Sequence, residues 1–332
     1  MPDVLCLGEI LVDWVCTSPG AELADAVQFT KAPGGAPANT AVGLARQGIA
    51  TGFIGRVSKD EFGEWLTAVL KQDNIDVTMA VPDSQAQTRM AYVVTTKSGD
   101  RKLAEFSRIA CADTRLTKDD LHPEHFKSAS VLHFGSISLI EEPAKSSTEA
   151  AVKLAKQNGM LISYDPNVRL RLWPSEEACR NAILNTLAWA DFVKINEDEL
   201  HFLTGSRDLK EADKLRQKHD LGIMIVTLDS RGAYFSTAKG GKTVPGFSVT
   251  LVEATGAGDG FNAGVIGGLL EHVKNAKSRR SALNDLSLEQ IAAIIQRANA
   301  IGAIACTKAG AIPALPSRAE VEQFLSQMAV RS

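Results

Sequence analysis

Strand-like apolar runs alternate with helix-period patterns along most of this 332-residue chain. Val4–Leu7 reads as a strand, Ala36–Gln47 as a helix, Gly52–Val57 as a strand and Phe62–Gln72 as a helix. The alternation continues with strands at Val131–Phe134, Leu161–Tyr164, Phe192–Ile195 and Ile223–Thr227, separated by helical patterns at Lys145–Gln157 and Glu176–Ala188. Two long helices, Asp259–Leu270 and Leu288–Ala305, follow. Parallel strands need long crossovers, and helices supply them, so this order predicts an α/β three-layer sandwich: a mostly parallel sheet covered by helices. Such a sheet places ligand residues at the C-terminal ends of its strands. Two regions break the pattern. Trp14–Lys31 and Arg89–Ser107 read as strands with no helix between them, and Met90–Thr95, Lys97-Ser98-Gly99-Asp100 and Arg101–Phe106 form a hairpin pattern. They predict a small β-sheet lid, drawn from about residues 13–33 and 87–112, on a single domain spanning 1–332 with no repeat or low-complexity linker.

Bulk charge excludes some partners. A net charge of −3 gives no general attraction for nucleic acid or an anionic membrane. The basic cluster Lys277-Ser278-Arg279-Arg280 reads as a solvated loop between helices. Residues 1–7 carry no basic region before their apolar residues and read as a strand rather than a signal peptide. No run approaches the ~18 apolar residues of a membrane span. Five scattered cysteines, odd in number and never in a C-x-x-C pair, predict reduced thiols and a cytoplasmic protein. His122 and His125 are three apart, but Pro123 lies between them and Glu124 is the only other ligand type nearby, which argues against a metal there.

The segment Glu253-Ala254-Thr255-Gly256-Ala257-Gly258-Asp259-Gly260-Phe261-Asn262 carries the strongest chemical signal. Glycines permit close backbone approach, and a helix start presents N–H groups and a positive dipole end, so the loop is an anion cradle. An aspartate placed there repels an anion unless it serves as a base, so loop and acid together point to phosphoryl transfer to an alcohol.

Four further constellations accompany it. Pro33-Gly34-Gly35-Ala36-Pro37-Ala38-Asn39 puts two glycines before a helix start, and Asn39 offers donors and an acceptor suited to a neutral polyol; a capped helix with a structural asparagine fits equally. Asp13 follows the first strand and its Gly8-Glu9 turn, and it reads either as a sugar-hydroxyl acceptor or as an exposed acid. Asp165-Pro166-Asn167-Val168-Arg169 leaves a strand end, where turn chemistry competes with a substrate role for Arg169. In Lys194-Ile195-Asn196-Glu197-Asp198-Glu199, Asn196 and Glu199 share a helix face; they suit Mg²⁺ held through water, or a plain helix cap. No G-x-x-x-x-G-K-[ST] loop exists, and Gly258-x-Gly260-x-x-Ala263 lacks the surroundings of a dinucleotide fingerprint.

Taken together these motifs resemble the ribokinase-like, or PfkB, carbohydrate kinases over nearly the whole chain, from Gly8-Glu9 to Ala311-Ile312-Pro313-Ala314-Leu315-Pro316. Within that family the chain looks most like the fructokinases, through Lys31–Asn39, His133-Phe134-Gly135-Ser136-Ile137-Ser138-Leu139, Asp165-Pro166-Asn167 with Arg169, Leu172-Trp173-Pro174 and Lys194-Ile195-Asn196-Glu197. The resemblance implies transfer of the γ-phosphoryl group of ATP to the 6-hydroxyl of D-fructose. It makes Asp259 the base and Gly256, Ala257 and Gly258 the anion hole. It gives the sugar to Asp13, Gly34, Gly35, Asn39 and Arg169, and the Mg²⁺-phosphate motif to Asn196 and Glu199. Lys194, Thr227, Gly232 and Asn299 fall on the nucleotide side. A K⁺ site falls on Glu253, Thr255, Ala305, Lys308, Gly310 and Ala314, mostly through carbonyls.

Two departures accompany the match. Glu253-Ala254 stands where fructokinases usually carry Asp-Thr, which puts the K⁺ site in question. Ile109-Ala110-Cys111-Ala112-Asp113 keeps only the end of the usual lid run, which bears on the choice of sugar. The other readings are a 2-keto-3-deoxygluconate kinase, whose substrate would want Arg89, Arg108 or Arg169, a nucleoside kinase, and a non-catalytic sugar sensor. The family pattern also implies a homodimer through the lid, with strands such as Met90–Val94 exposed for pairing.

Overall fold

The computed structural model describes residues 1–95 and 101–331, so the expected turn at Lys97–Asp100 lies outside the described residues. Thirteen strands are described: β1 (Val4–Leu7), β2 (Leu11–Cys16), β3 (Phe29–Gly34), β4 (Thr51–Ser58), β5 (Asp76–Asp83), β6 (Met90–Thr95), β7 (Arg101–Phe106), β8 (Val131–Phe134), β9 (Leu161–Tyr164), β10 (Phe192–Asn196), β11 (Ile223–Thr227), β12 (Ala233–Thr237) and β13 (Gly240–Val244). The first four helices are α1 (Ala36–Arg46), α2 (Glu61–Gln72), α3 (Pro123–Ser128) and α4 (Ala144–Gln157). Then come α5 (Glu176–Leu187), α6 (Glu197–Thr204), α7 (Lys210–Lys218) and α8 (Ala257–Val273), followed by α9 (Arg279–Asp285), α10 (Leu288–Ala305) and α11 (Arg318–Arg331).

Nine strands form the main sheet in the order β13-β12-β11-β10-β9-β8-β1-β4-β5. The pairs from β11 to β5 are parallel, and β12 and β13 add an antiparallel edge. Central strands buried on both faces read as unbroken apolar runs rather than alternating ones, and β1, β8 and β9 are buried at every position. Within β1, Val4 and Cys6 face one core, where Leu44 of α1, Leu66 of α2, Phe261 of α8 and Ile295 of α10 pack. Leu5 and Leu7 face the other, with Phe126 of α3, Val152 of α4, Ile183 of α5, Leu200 of α6 and Leu215 of α7. That is the three-layer arrangement expected from the alternation.

The second sheet runs β3-β2-β6-β7, with β2 and β6 parallel and the outer pairs antiparallel. Val12 donates its N–H to the Arg89 carbonyl where β2 and β6 leave the main body. There the buried Arg89 guanidinium pairs with Asp113 at 2.8 Å and donates to the Ser107 carbonyl. One expectation is corrected. Met90–Val94 lies in the interior of this sheet, between β2 and β7, so it is not an exposed strand; the edges are β3 and β7. No helix among the described residues is long and apolar enough to cross a membrane.

Candidate active site

The C-terminal ends of β9 and β10 and the N-terminal end of α8 meet in one buried cluster. Gly256 is the N-cap of α8 with φ +81°, and a side chain there would meet Ala311 at 2.9 Å, so only glycine fits without strain. No side chain caps this helix. Asp259 sits in the first turn, buried, and its Oδ2 accepts a 2.8 Å hydrogen bond from Asn39 Nδ2 on α1. Burial raises the Asp259 carboxyl to about 6; the Asn39 bond opposes this, the Asp165 charge adds to it, and Lys194 and Arg169 oppose it. Asn39 and Arg169, expected from the resemblance to meet the sugar, therefore both act on Asp259.

Asp165, the residue after β9, holds the cluster together. Its Oδ2 accepts from Lys194 Nζ at 2.8 Å and from Asn262 Nδ2 at 2.6 Å, and all three side chains are buried. Burial works against charge on this pair, but mutual attraction wins: Asp165 is held below and Lys194 above its ordinary value. A Cβ at Gly258 would come within 3.1 Å of Lys194 Nζ, so the ammonium lies against the backbone of the glycine loop. The sequence puts Asp165 at a strand end suited to ligand residues, or in a turn, and gives no role to Asn262. The available signal was spacing: Asn262 follows Asp259 by three, on the same helix face.

Asn196 and Glu199 form a capping box at the start of α6. Asn196 Oδ1 accepts from the Glu199 N–H at 2.7 Å, and Glu199 Oε2 accepts from the Asn196 N–H at 2.9 Å. Glu199 Oε1 also accepts from the Val168 N–H, and burial together with Asp165 raises its pKa. The cap reading of this pair is thus present in full. Three buried carboxylates, Asp165, Glu199 and Asp259, face one lysine, and that surplus of negative oxygen fits a divalent cation held through water.

Asp13, Gly34 and Gly35, three of the residues expected to meet the sugar, come together at the base of the small sheet. Asp13 lies on β2, and its carboxylate occupies the space that a Cβ on Gly34 would fill. Gly35 has φ +106° and abuts the Glu9 carbonyl, while Glu9 Oε1 accepts from the Ala36 N–H at 3.0 Å. Of the three arginines suited to an acidic sugar, Arg89 is paired with Asp113 and Arg108 with Glu105 at 3.2 Å.

Thr227 ends β11 beside Asn196. Gly232, at φ +96°, presses on residues 244–246, and the Asn299 amide donates to the carbonyls of Val244 at 3.2 Å and Pro245 at 3.1 Å. These two nucleotide-side residues therefore share one backbone segment. The residues expected around K⁺ also assemble. Glu253 Oε2 accepts from the Gly310 N–H at 2.7 Å, and the Val252 and Glu253 N–H groups both donate to the Cys306 carbonyl, one residue beyond Ala305. Gly256 abuts Ala311, and the Ala314 N–H donates to the Ala311 carbonyl, so Thr255 is flanked by this segment. The Lys308 ammonium pairs with Glu320 at 2.7 Å, which leaves its backbone to this region. The buried Glu253 carboxylate is a donor that suits a hard cation.

The pfkB family carbohydrate kinase model matches residues 1–318. The chain is 43% identical over 329 residues to probable fructokinase-7 of Arabidopsis thaliana, covering 97% of this chain and 92% of that protein. The fructokinase of Xylella fastidiosa crystallised with bound ATP superposes with a TM-score of 0.88 at 28% identity, covering 99% of this chain and 100% of the other. A double-mutant fructokinase of Vibrio cholerae, in a form with bound fructose, ADP and potassium, superposes with a TM-score of 0.80 at 31% identity over 97% of each chain. A family match over nearly the whole chain, with relatives this similar, makes the chain an ATP-dependent sugar kinase, and it belongs to the pfkB family of carbohydrate kinases.

Proposed function

We propose that this kinase transfers the γ-phosphoryl group of ATP to the 6-hydroxyl of D-fructose. The observation that carries the reading is Asp259: a buried carboxylate in the first turn of α8, gripped by Asn39 and raised to about 6. A base with that pKa is ionised at neutral pH and still basic enough to accept a proton as the hydroxyl attacks. The O–P bond to the sugar forms as the bond to the β-phosphate oxygen breaks, and the hydroxyl proton passes to Asp259. The N–H groups of Gly256, Ala257 and Gly258 steady the charge that gathers on the transferred group. Lys194, fixed by Asp165 against Gly258, adds a positive charge on the phosphate side. Asp13, Gly34, Gly35 and Asn39 bind the sugar, Arg169 closes beside it, and Thr227, Gly232 and Asn299 bound the nucleotide. Asn196 and Glu199 would hold Mg²⁺, which would supply positive charge against the phosphates. Glu253, Thr255, Ala305, Lys308, Gly310 and Ala314 would hold K⁺, mostly through backbone carbonyls.

In this reading the whole chain works as one unit, and the β3-β2-β6-β7 sheet is the lid that excludes water. Its free edges at β3 and β7 join two copies into a homodimer. The pairing of Arg89 and Arg108 with acids favours a neutral sugar over 2-keto-3-deoxygluconate. A coupled ADP-release assay over fructose, 2-keto-3-deoxygluconate, ribose and nucleosides tests the reading. Fructose is expected to give the highest kcat/KM, and ADP release with none of these sugars would overturn it.

A further inference from the structure

A second cluster lies at the opposite end of the main sheet. His122, Glu124 and His125 offer ligand atoms that all lie within 4.8 Å of one another. Pro123 separates the two histidines in sequence, which counted against a metal there. In the structure Pro123 is the first residue of α3, where a proline starts a helix rather than breaking one. One helical turn then brings His122 and His125 to the same side, with ring centroids 5.9 Å apart. A supporting carboxylate comes from far along the chain: Asp76, the first residue of β5, points Oδ2 at His125 Nδ1 from 3.6 Å.

Two features separate this arrangement from an ordinary surface ion pair. The contacts are too long to be hydrogen bonds, 3.6 Å for His125–Asp76 and 3.9 Å for His122–Glu124. The His122–Glu124 separation approaches the edge of a tetrahedron, about 3.4 Å for ligands about 2.1 Å from a zinc ion. His125 Nδ1 is buried with no hydrogen-bond partner. Asp76 is also held in orientation, because its Oδ1 accepts from the N–H and the hydroxyl of Thr78, which turns Oδ2 toward the imidazole. Carboxylates oriented from behind in this way are the usual company of metal-bound histidines.

We propose that His122, Glu124 and His125, with Asp76 bracing the His125 ring, form a binding site for one divalent transition-metal ion of the Zn²⁺ class. Imidazole nitrogen with carboxylate oxygen suits that class better than Mg²⁺, which prefers oxygen alone. Through Asp76 bracing His125, the loaded site would fasten α3 to β5, the outermost strand of the main sheet. Asp76 opens β5 and α3 leads into β8, so the site lies at the N-terminal ends of the strands. The phosphoryl-transfer cluster lies at their C-terminal ends, so the metal would act on stability rather than on chemistry.

The test uses nucleotide-free protein without a histidine tag. Titration with ZnCl₂ alone, followed by calorimetry, is expected to give one ion per chain at micromolar affinity and a melting temperature several degrees higher. His125→Ala is expected to weaken binding at least ~10-fold and to abolish the thermal shift. Glu124→Gln, an exposed change that leaves the fold alone, is expected to weaken it less. Tetrahedral Co²⁺ absorption in the wild type and not in His122→Ala/His125→Ala would support the site. No stoichiometric zinc binding, or binding unchanged in that double variant, would overturn the proposal.

Discussion

Two helices begin at the same end of the main sheet, and their N-termini are built in opposite ways. At α6, Asn196 and Glu199 cap each other reciprocally, so that helix start is closed by its own side chains. At α8, the N-cap is Gly256, no side chain caps the turn, and an acid is buried there instead. A closed start stabilises the fold by about 1 kcal/mol. An open one leaves its N–H groups for a ligand and gives up that stabilisation. The contrast teaches where to look for chemistry: at the helix end that is left unfinished.

The contrast breaks most directly at Asp259. Asp259→Asn is expected to bind ATP and sugar with near-normal affinity and to lose at least ~10²-fold in kcat. Turnover within a few fold of wild type, by ADP release, would remove Asp259 from its role. The same substitution carries a second sign. A carboxyl raised from 3.8 to about 6 favours the protonated fold, so its stabilisation is complete below pH 3.8 and lost as pH rises through 6. At pH 8 the ionised form costs roughly 3 kcal/mol, so Asp259→Asn is expected to melt higher than wild type there and to lose that advantage at pH 4. Next comes the pH profile of the intact enzyme: kcat/KM is expected to fall about tenfold per pH unit below ~6, as Asp259 takes up its proton. A flat profile down to pH 5 would sever that link.

Smaller effects sharpen the comparison. Gly256→Ala forces a Cβ into a left-handed residue and against Ala311, so it is expected to lower stability by about 1–2 kcal/mol in denaturant melts, with kcat falling in step. Asn196→Ser keeps a competent cap. Its melting temperature is expected to stay within a degree or two of wild type, while the Mg²⁺ needed for half-maximal turnover rises severalfold. An unchanged Mg²⁺ requirement would make α6 a structural helix start and nothing more.

The parts of the fold legible in the sequence are those where one residue pattern decides the outcome. β1, β8 and β9 stand at the bounds their unbroken apolar runs predict. β5 went unread because Asp76, Thr78 and Pro82 dilute an edge strand. β13 went unread because Gly240, Gly241 and Lys242 are exposed and have poor strand propensity. β2 begins at Leu11, two residues before the expected start of the lid sheet, since its bounds depend on pairing with β3 and β6. The candidate site divides the same way. The glycine loop and Asp259 are contiguous and stand out in the sequence. The Asp165–Lys194–Asn262 cluster joins two neighbouring strand ends to a helix, and no local pattern encodes that meeting.

The burial of β1 on both faces has a consequence for how the chain tolerates change. Its four side chains are a party wall: Val4 and Cys6 belong to one room and Leu5 and Leu7 to the other. Consecutive substitutions there damage different halves of the molecule in turn, and no position offers a solvent side on which a polar replacement is harmless. This short strand in the middle of the sheet is therefore among the least forgiving stretches of the scaffold, although none of its side chains touches the chemistry.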